Sequence, residues 1–309
     1  MFFINYDGKI MIVTIDKSSG FCWGVVRTIE KAEETLKNTD QNVYILGQII
    51  HNPHESSRLE EKGLKTISHQ DLEKISREEN AKVLIRAHGE PPSTYKKAAE
   101  LGINLVDATC PLVTSLQKRV EKFYKDDYQI VIYGKKEHAE IIGLRGVCND
   151  ECIVIKTVEE ALEKVDFSKK TVLISQTTME RATFYKIKEA LEQRVRELID
   201  GGEVSDKFTA KDTLCKAVYG REDKLKEFAK SNDVVIFVAG RNSSNGKSLF
   251  HICQQTNPRS YFIEDISELN IEWLEGAETV GITGATSTPQ WYMEKVKEKI
   301  EKEMNSVVV

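Results

Sequence analysis

The chain has 309 residues, 40% hydrophobic and 30% charged. This is an ordinary globular composition. It excludes disordered, collagenous and coiled-coil chains, and the length alone suggests about two domains. With 44 Lys and Arg against 49 Asp and Glu, the net charge is −5, so no nucleic-acid partner is expected. No run approaches the roughly 20 apolar residues of a membrane helix. Met1–Ile10 lacks the basic-then-apolar pattern of a secretory signal. A cytoplasmic protein with no membrane partner is expected. Six cysteines are too sparse for a disulfide scaffold, so they read as packing residues or as reactive and ligating thiols.

Aliphatic and β-branched runs predict strands at Met11–Ile15, Val43–Leu46, Lys82–Ile85, Ile103–Val106, Gln129–Tyr133, Ile153–Ile155, Thr171–Ile174, Val234–Val238, Tyr261–Ile263 and Thr279–Thr283. Helical patterns lie between them. Val25, Ile29, Ala32 and Leu36 repeat at spacings of 4, 3 and 4, and Phe184, Ile187, Leu191, Val195 and Leu198 at 3, 4, 4 and 3. Such alternation predicts parallel sheets covered by helices.

A long repeat revises the domain count. Cys22, Cys110 and Cys215 each stand just before a predicted helix, 88 and 105 residues apart. Polar loops follow at matching offsets. His51 is 29 past Cys22, His138 is 28 past Cys110, and Ser243 is 28 past Cys215. In the second loops His88, Thr177 and Ser287 lie 66, 67 and 72 past the same cysteines. The chain is expected to form three similar α/β units, 23–109, 110–214 and 215–309. Residues 1–22 would pack on the third as an N-terminal strand.

Helix N-termini favour thiolate over thiol, and thiolates are the ligands that iron–sulfur clusters require. Around a pseudo-threefold axis, Cys22, Cys110 and Cys215 would face a common cavity. Three ligands would leave one iron open, as a Lewis-acid site requires. Cys148 and Cys152 form a lone CxxxC with no histidine at zinc spacing, and Cys253 reads as core. His51, His88 and His138 fall in strand-end loops, where ligands of open α/β sheets bind. Ser243, Ser244, Asn245 and the Thr286-Ser287-Thr288 loop occupy the same places in the third unit. This ring of donors suits a small multiply charged anion such as diphosphate. His54, His69 and His251 read as solvated bystanders. Glu140, two residues past His138, is a candidate proton donor. Thr177 reads equally well as a helix-capping residue. Gly240–Ser248 imitates a phosphate-binding loop, but five residues separate its glycines where that loop needs four.

Together these residues resemble the 4-hydroxy-3-methylbut-2-enyl diphosphate reductases of the non-mevalonate isoprenoid pathway. The matching motifs are Gly-Phe-Cys22-Trp-Gly-Val, His51-Asn, Ala-His88-Gly, Asp107-Ala-Thr-Cys110-Pro-Leu-Val, His138-Ala-Glu140, Gln176-Thr177-Thr178, Cys215, Asn242-Ser243-Ser244-Asn245 and Gly284-Ala-Thr-Ser287-Thr-Pro. They run in family order over nearly the whole chain. The resemblance implies three mostly parallel α/β domains in pseudo-threefold arrangement around a 4Fe-4S cluster held by Cys22, Cys110 and Cys215. It implies diphosphate binding by His51, His88, His138, Ser243, Ser244, Asn245 and Ser287. Glu140, relayed through Thr177, would supply protons. The hydroxyl would leave as water, and isopentenyl and dimethylallyl diphosphates would form. The expected electron donor is a small carrier such as ferredoxin or flavodoxin. Two departures stand out: Ala139 replaces the family's usual proline, and the stretch after Cys215 lacks a Thr-rich pattern. About ten residues precede the usual start near Met11, and no role is assigned to them. A non-catalytic iron–sulfur sensor and a zinc-dependent hydrolase are the alternatives.

Overall fold

The computed structural model describes residues 3–4, 10–199 and 202–307. Its strands are β1 (Phe3–Ile4), β2 (Ile10–Ile15), β3 (Val43–Leu46), β4 (Leu64–Ile67), β5 (Lys82–Ile85), β6 (Asn104–Asp107), β7 (Gln129–Tyr133), β8 (Cys152–Ile155), β9 (Thr171–Ser175), β10 (Phe208–Ala210), β11 (Val234–Val238), β12 (Ser260–Ile263) and β13 (Thr279–Gly284). They form three sheets, ordered β4-β3-β5-β6, β8-β7-β9-β10 and β12-β11-β13-β2-β1. Every pairing is parallel except β1 on β2.

One order recurs in all three sheets. The first strand lies second, the second strand forms one edge, and a fourth strand follows the third. In the third sheet β2 takes the fourth place, paired in parallel with β13 from Thr279↔Ile12 to Ile282↔Ile15. The central strands are apolar runs because both faces are covered. All of β11 and Ile130–Ile132 of β7 are fully buried.

Chain contacts group the sheets into two units. The first unit comprises Met1–Val26, Ile50–Arg58 and Lys216–Val309, and holds the third sheet. The second comprises Arg27–Ile49 and Leu59–Cys215, and holds the other two.

The structure adds strands that the pattern did not predict. β4 and β10 are edge strands of three or four residues in which only Leu64 and Phe208 are buried. One apolar residue cannot establish a period. β1 lies in the segment to which no role was assigned, and pairs Phe3 with Met11; residues 1–2 and 5–9 lie outside the described residues. In the helix Arg181–Leu198 the stripe Phe184, Ile187, Leu191 and Val195 is buried. Its last predicted member, Leu198, is 52% exposed. Among the described residues no helix is long and apolar enough to cross a membrane.

Candidate functional site

The candidate residues gather where parallel strands end and helices begin. His51, His138 and Ser243 each stand five residues past the end of their sheet's first strand, at Leu46, Tyr133 and Val238. Two of them are helix N-caps. The Glu140 N–H donates to His138 Nδ1 at 3.2 Å, so Nδ1 carries no proton and Nε2 carries the hydrogen of the neutral ring. Ser243 Oγ accepts from the Gly246 N–H at 3.0 Å, which leaves the hydroxyl hydrogen for another acceptor. His51 precedes the cap itself, since Asn52 Oδ1 accepts from the Glu55 N–H at 3.1 Å.

In the first unit His51 lies against the loop after β11. A Cβ on Gly240 would come within 2.2 Å of the His51 carbonyl oxygen, so only glycine permits this approach. Ser244 and Asn245 are buried in the first turn of the helix Ser244–Thr256. Asn245 Nδ2 donates to Thr286 Oγ1 at 2.8 Å. Its Oδ1 is buried and, among the described residues, has no hydrogen-bond partner. Whichever end of the amide faces Thr286, the other polar end is unspent. Ser287 Oγ lies 3.5 Å from Ser243 Oγ. Ser243, Asn245, Thr286 and Ser287 thus form one buried polar cluster.

The second unit brings other candidates together. The His88 and His138 rings meet edge to face with centroids 5.3 Å apart. His88 sits in a tight turn in which the Gly89 N–H reaches the Arg86 carbonyl at 3.0 Å, and Gly89 takes φ +71°. Glu140 is 1% exposed although it lies in the first turn of the helix Ala139–Val147. The Thr177 N–H donates to its Oε1 and the Thr177 hydroxyl to its Oε2, both at 2.7 Å. Burial pushes the Glu140 carboxyl up to about 7, against the two Thr177 bonds that lower it. Thr177 caps no helix, because the next one has Glu180 as its N-cap.

The three cysteines share one backbone setting. The Cys110 N–H donates to the Ala87 carbonyl, the Cys215 N–H to the Thr177 carbonyl, and the Cys22 N–H to the Thr286 carbonyl, at 3.0, 2.9 and 3.1 Å. Each acceptor lies two residues past the third strand of its sheet, at Ile85, Ser175 and Gly284. This shifts the second-loop alignment. His88 and Ser287 are equivalent positions, but Thr177 corresponds to Ala87 and Thr286.

Sequence reasoning missed the carboxylates behind these cysteines. Asp16, Asp107 and Asp212 follow or end the fourth strands. Each accepts on Oδ1 the N–H two residues on, from Ser18, Thr109 and Leu214 at 2.8, 2.8 and 3.1 Å. Each accepts on Oδ2 a hydroxyl, from Thr283, Tyr95 and Tyr185 at 2.9, 3.2 and 2.8 Å. The repeated Asp-x-x-Cys at Asp107 and Asp212 was the available signal. Arg221 was also missed; its Nη1 donates to the Gly20 carbonyl at 2.6 Å and so braces the Cys22 loop. His54 is no solvated bystander. Its ring stacks on Tyr292 with centroids 3.8 Å apart, and its Nε2 lies 2.9 Å from the Glu264 carbonyl oxygen.

The donor set suits a thiophilic metal group. Cys22, Cys110 and Cys215 are half-buried thiols in one repeated setting. Cys148 and Cys253, by contrast, are buried with their sulfurs bonded to the Leu144 carbonyl and Ser260. The buried amide and hydroxyls of Asn245 and Ser243 suit an anion.

Strand-end donors and a buried carboxyl poised to carry a proton define an α/β enzyme for a small anionic substrate. Residues 13–301 match the LytB protein family. The chain is 47% identical over 307 residues to the 4-hydroxy-3-methylbut-2-enyl diphosphate reductase of Chloroherpeton thalassium, covering 94% of this chain and 96% of the relative. It is 47% identical over 298 residues to the enzyme of that name from Parabacteroides distasonis, covering 95% and 98%. The solved structure of the E-1-hydroxy-2-methyl-but-2-enyl-4-diphosphate reductase from Plasmodium falciparum superposes with a TM-score of 0.82 at 26% identity, covering 94% of this chain and 87% of that one. A structure of (E)-4-hydroxy-3-methyl-but-2-enyl diphosphate reductase gives 0.69 at 33% identity, covering 94% and 100%. The chain belongs to the LytB family.

Proposed function

We propose that this chain reduces 4-hydroxy-3-methylbut-2-enyl diphosphate to isopentenyl and dimethylallyl diphosphates. Two electrons and two protons enter, and the hydroxyl leaves as water. The observation that carries this reading is the buried Glu140–Thr177 pair, a proton store inside a LytB fold.

On this reading Cys22, Cys110 and Cys215 hold a 4Fe-4S cluster, which would supply the electrons and one iron open to the substrate hydroxyl. The chain's own residues do the rest. The hydroxyl bond that Oε2 accepts from Thr177 belongs to the carboxylate. On protonation it reverses, with Oε2 carrying the hydrogen and donating to Thr177 Oγ, because Oε1 faces a backbone N–H that cannot accept one. From Oε2 it passes to Thr177 Oγ, whose own hydrogen goes on to the leaving oxygen. Glu140 then recovers its proton at near-neutral pH, since its pKa is pushed up to about 7. His51, His88, His138, Ser243, Ser244, Asn245 and Ser287 hold the diphosphate. His138 donates through Nε2, as its Nδ1 accepts from the backbone. Each such bond contributes about 1.5–3 kcal/mol.

The same reading divides the chain into domains 23–109, 110–214 and 215–309, with residues 1–22 completing the third. Electrons come from a small carrier of the ferredoxin or flavodoxin class, and the enzyme works in the cytoplasm. The sensor and hydrolase alternatives gain no support, because the named relatives are reductases and a non-catalytic sensor has no use for a buried proton donor. The test is anaerobic reconstitution with iron and sulfide, followed by turnover with a chemical reductant. Formation of both isomeric diphosphates is expected. A brown, iron-loaded protein that converts no substrate overturns the proposal.

A further inference from the structure

The helix that follows His51, Pro53–Glu61, cannot be held by an apolar stripe. Besides its proline it has one apolar side chain, Leu59. The helix after His138, Ala139–Val147, instead buries Ile141 and Leu144. Chain contacts group Ile50–Arg58 with the first unit, although β3 and β4 on either side of it belong to the second.

Polar and aromatic contacts hold this segment instead. Glu55 is 1% exposed. Its Oε2 accepts from Trp291 Nε1 and Arg58 Nε at 2.9 and 3.0 Å, and its Oε1 accepts from Arg58 Nη2. The neighbouring His54 stacks on Tyr292 with centroids 3.8 Å apart. Its Nε2 donates to the Glu264 carbonyl at 2.9 Å and lies 3.5 Å from Asp265 Oδ2. Both anchors are themselves fixed. The Tyr292 hydroxyl accepts the Ile266 N–H at 2.8 Å and donates to Asp265 Oδ2 at 3.3 Å. Tyr292 and Trp291 pack in and against the core of the third sheet. They lie in the first turn of the helix Gln290–Val307, just past the Ser287 loop. Hydrogen bonds and ring stacks are directional, so two such fastenings fix orientation as well as position.

We propose, on the reading that His51 binds diphosphate, that His54 and the Glu55–Trp291 bond are positioning elements that hold His51 in place for the anion. The connection between them is short and stiff. His54 and Glu55 lie three and four residues past His51. Between them Asn52 Oδ1 accepts the Glu55 N–H at 3.1 Å, and the Asn52 carbonyl accepts the Ser56 N–H at 3.1 Å. A helix start fastened at this turn cannot slide or rotate without moving His51. Neither His54 nor Trp291 is assigned a contact with substrate, and each acts through His51.

The test is calorimetry of isopentenyl diphosphate binding to cluster-loaded protein. The variants are His51→Ala, His54→Ala and Trp291→Phe, and Trp291→Phe combined with His51→Ala. Trp291→Phe keeps a ring and removes the N–H; His54→Ala removes the stack and the carbonyl bond. Each is expected to weaken binding about three- to tenfold, and by no more than His51→Ala does. Trp291→Phe added to His51→Ala should weaken binding no further, because no imidazole is left to place. A merely structural role would add its penalty in both backgrounds. Hydrogen exchange across residues 50–58, read by mass spectrometry, should be faster in both fastening variants. Unchanged exchange, normal affinity in both fastening variants, or an equal further loss in the double variant overturns the proposal. Normal affinity in His51→Ala alone refutes the diphosphate role of His51, and the proposal falls with it.

Discussion

Replacing Glu140 by Gln separates chemistry from stability in opposite directions. In the protein this carboxyl is raised from 4.5 to about 7 by burial. The neutral form is therefore the one the fold prefers. Its contribution is fully present below pH 4.5 and is lost as pH rises through about 7. At 1.36 kcal/mol per unit, the ionised carboxyl costs the fold about 3 kcal/mol above that window. Gln removes the charge and keeps both bonds: its Oε1 can accept the Thr177 N–H, and its Nε2 can donate to Thr177 Oγ. Glu140→Gln should therefore be more stable than wild type at pH 8, by up to about 3 kcal/mol, and close to it at pH 4.5. Turnover should fall by about a hundredfold to ten-thousandfold, the usual worth of a positioned acid, with iron content unchanged. Urea unfolding of both proteins across this pH range, run beside single-condition turnover, measures both effects. A stability difference that does not change with pH, or a variant retaining more than a tenth of wild-type turnover, would refute the reasoning.

Other perturbations address separate parts of the site. Single Cys→Ser changes at Cys22, Cys110 and Cys215 should each lower iron per chain, measured after anaerobic reconstitution, while Cys253→Ser should not. His51→Ala, His88→Ala and His138→Ala should each weaken diphosphate binding about tenfold or more, since 1.5 kcal/mol per charged bond is the lower bound; calorimetry with isopentenyl diphosphate checks this. Gly240→Ala should weaken the same binding without touching ligand, because its Cβ would press on the His51 carbonyl oxygen; normal affinity would show that the approach is not needed.

Most central strands were legible because a parallel strand buried on both faces is a bare apolar run. Val43–Leu46, Lys82–Ile85, Gln129–Tyr133 and Val234–Val238 end where the pattern places them. The edge strands β4 and β10 were not, because each buries a single side chain. The positions of His51, His138 and Ser243 could be read from chain offsets, since first strand and loop keep a constant length. The second loops could not be aligned to the residue, because their insertions fall elsewhere and only the Cys N–H bonds reveal the equivalence of Ala87, Thr177 and Thr286. The burial of Glu140 was legible only as a possibility. An acidic residue in a first helical turn is ordinarily exposed, and no local pattern marks the Thr177 loop that covers it.

The cysteine loops show one device used three times, and it can be tested apart from the thiols. An Asp at the end of each fourth strand bonds the N–H two residues on and takes a hydroxyl on its other oxygen. In the second unit this fixes the three-residue approach to Cys110 and to Cys215, so the direction of each thiol depends on a carboxylate that never touches it. Asp107→Ala and Asp212→Ala free that approach, and each should lower iron retention under chelator challenge several-fold, for the loss of about 1 kcal/mol of local order. Asn keeps an oxygen for the N–H, so Asp107→Asn and Asp212→Asn should restore most of the retention. Asp166 makes the same turn with the Ser168 N–H at 3.0 Å but precedes no cysteine. Asp166→Ala should therefore leave iron unchanged. If all three Ala variants lose iron alike, the loss reflects general destabilisation. If neither Asp107→Ala nor Asp212→Ala loses any, the thiols are aimed by their helix starts and backbone N–H bonds alone.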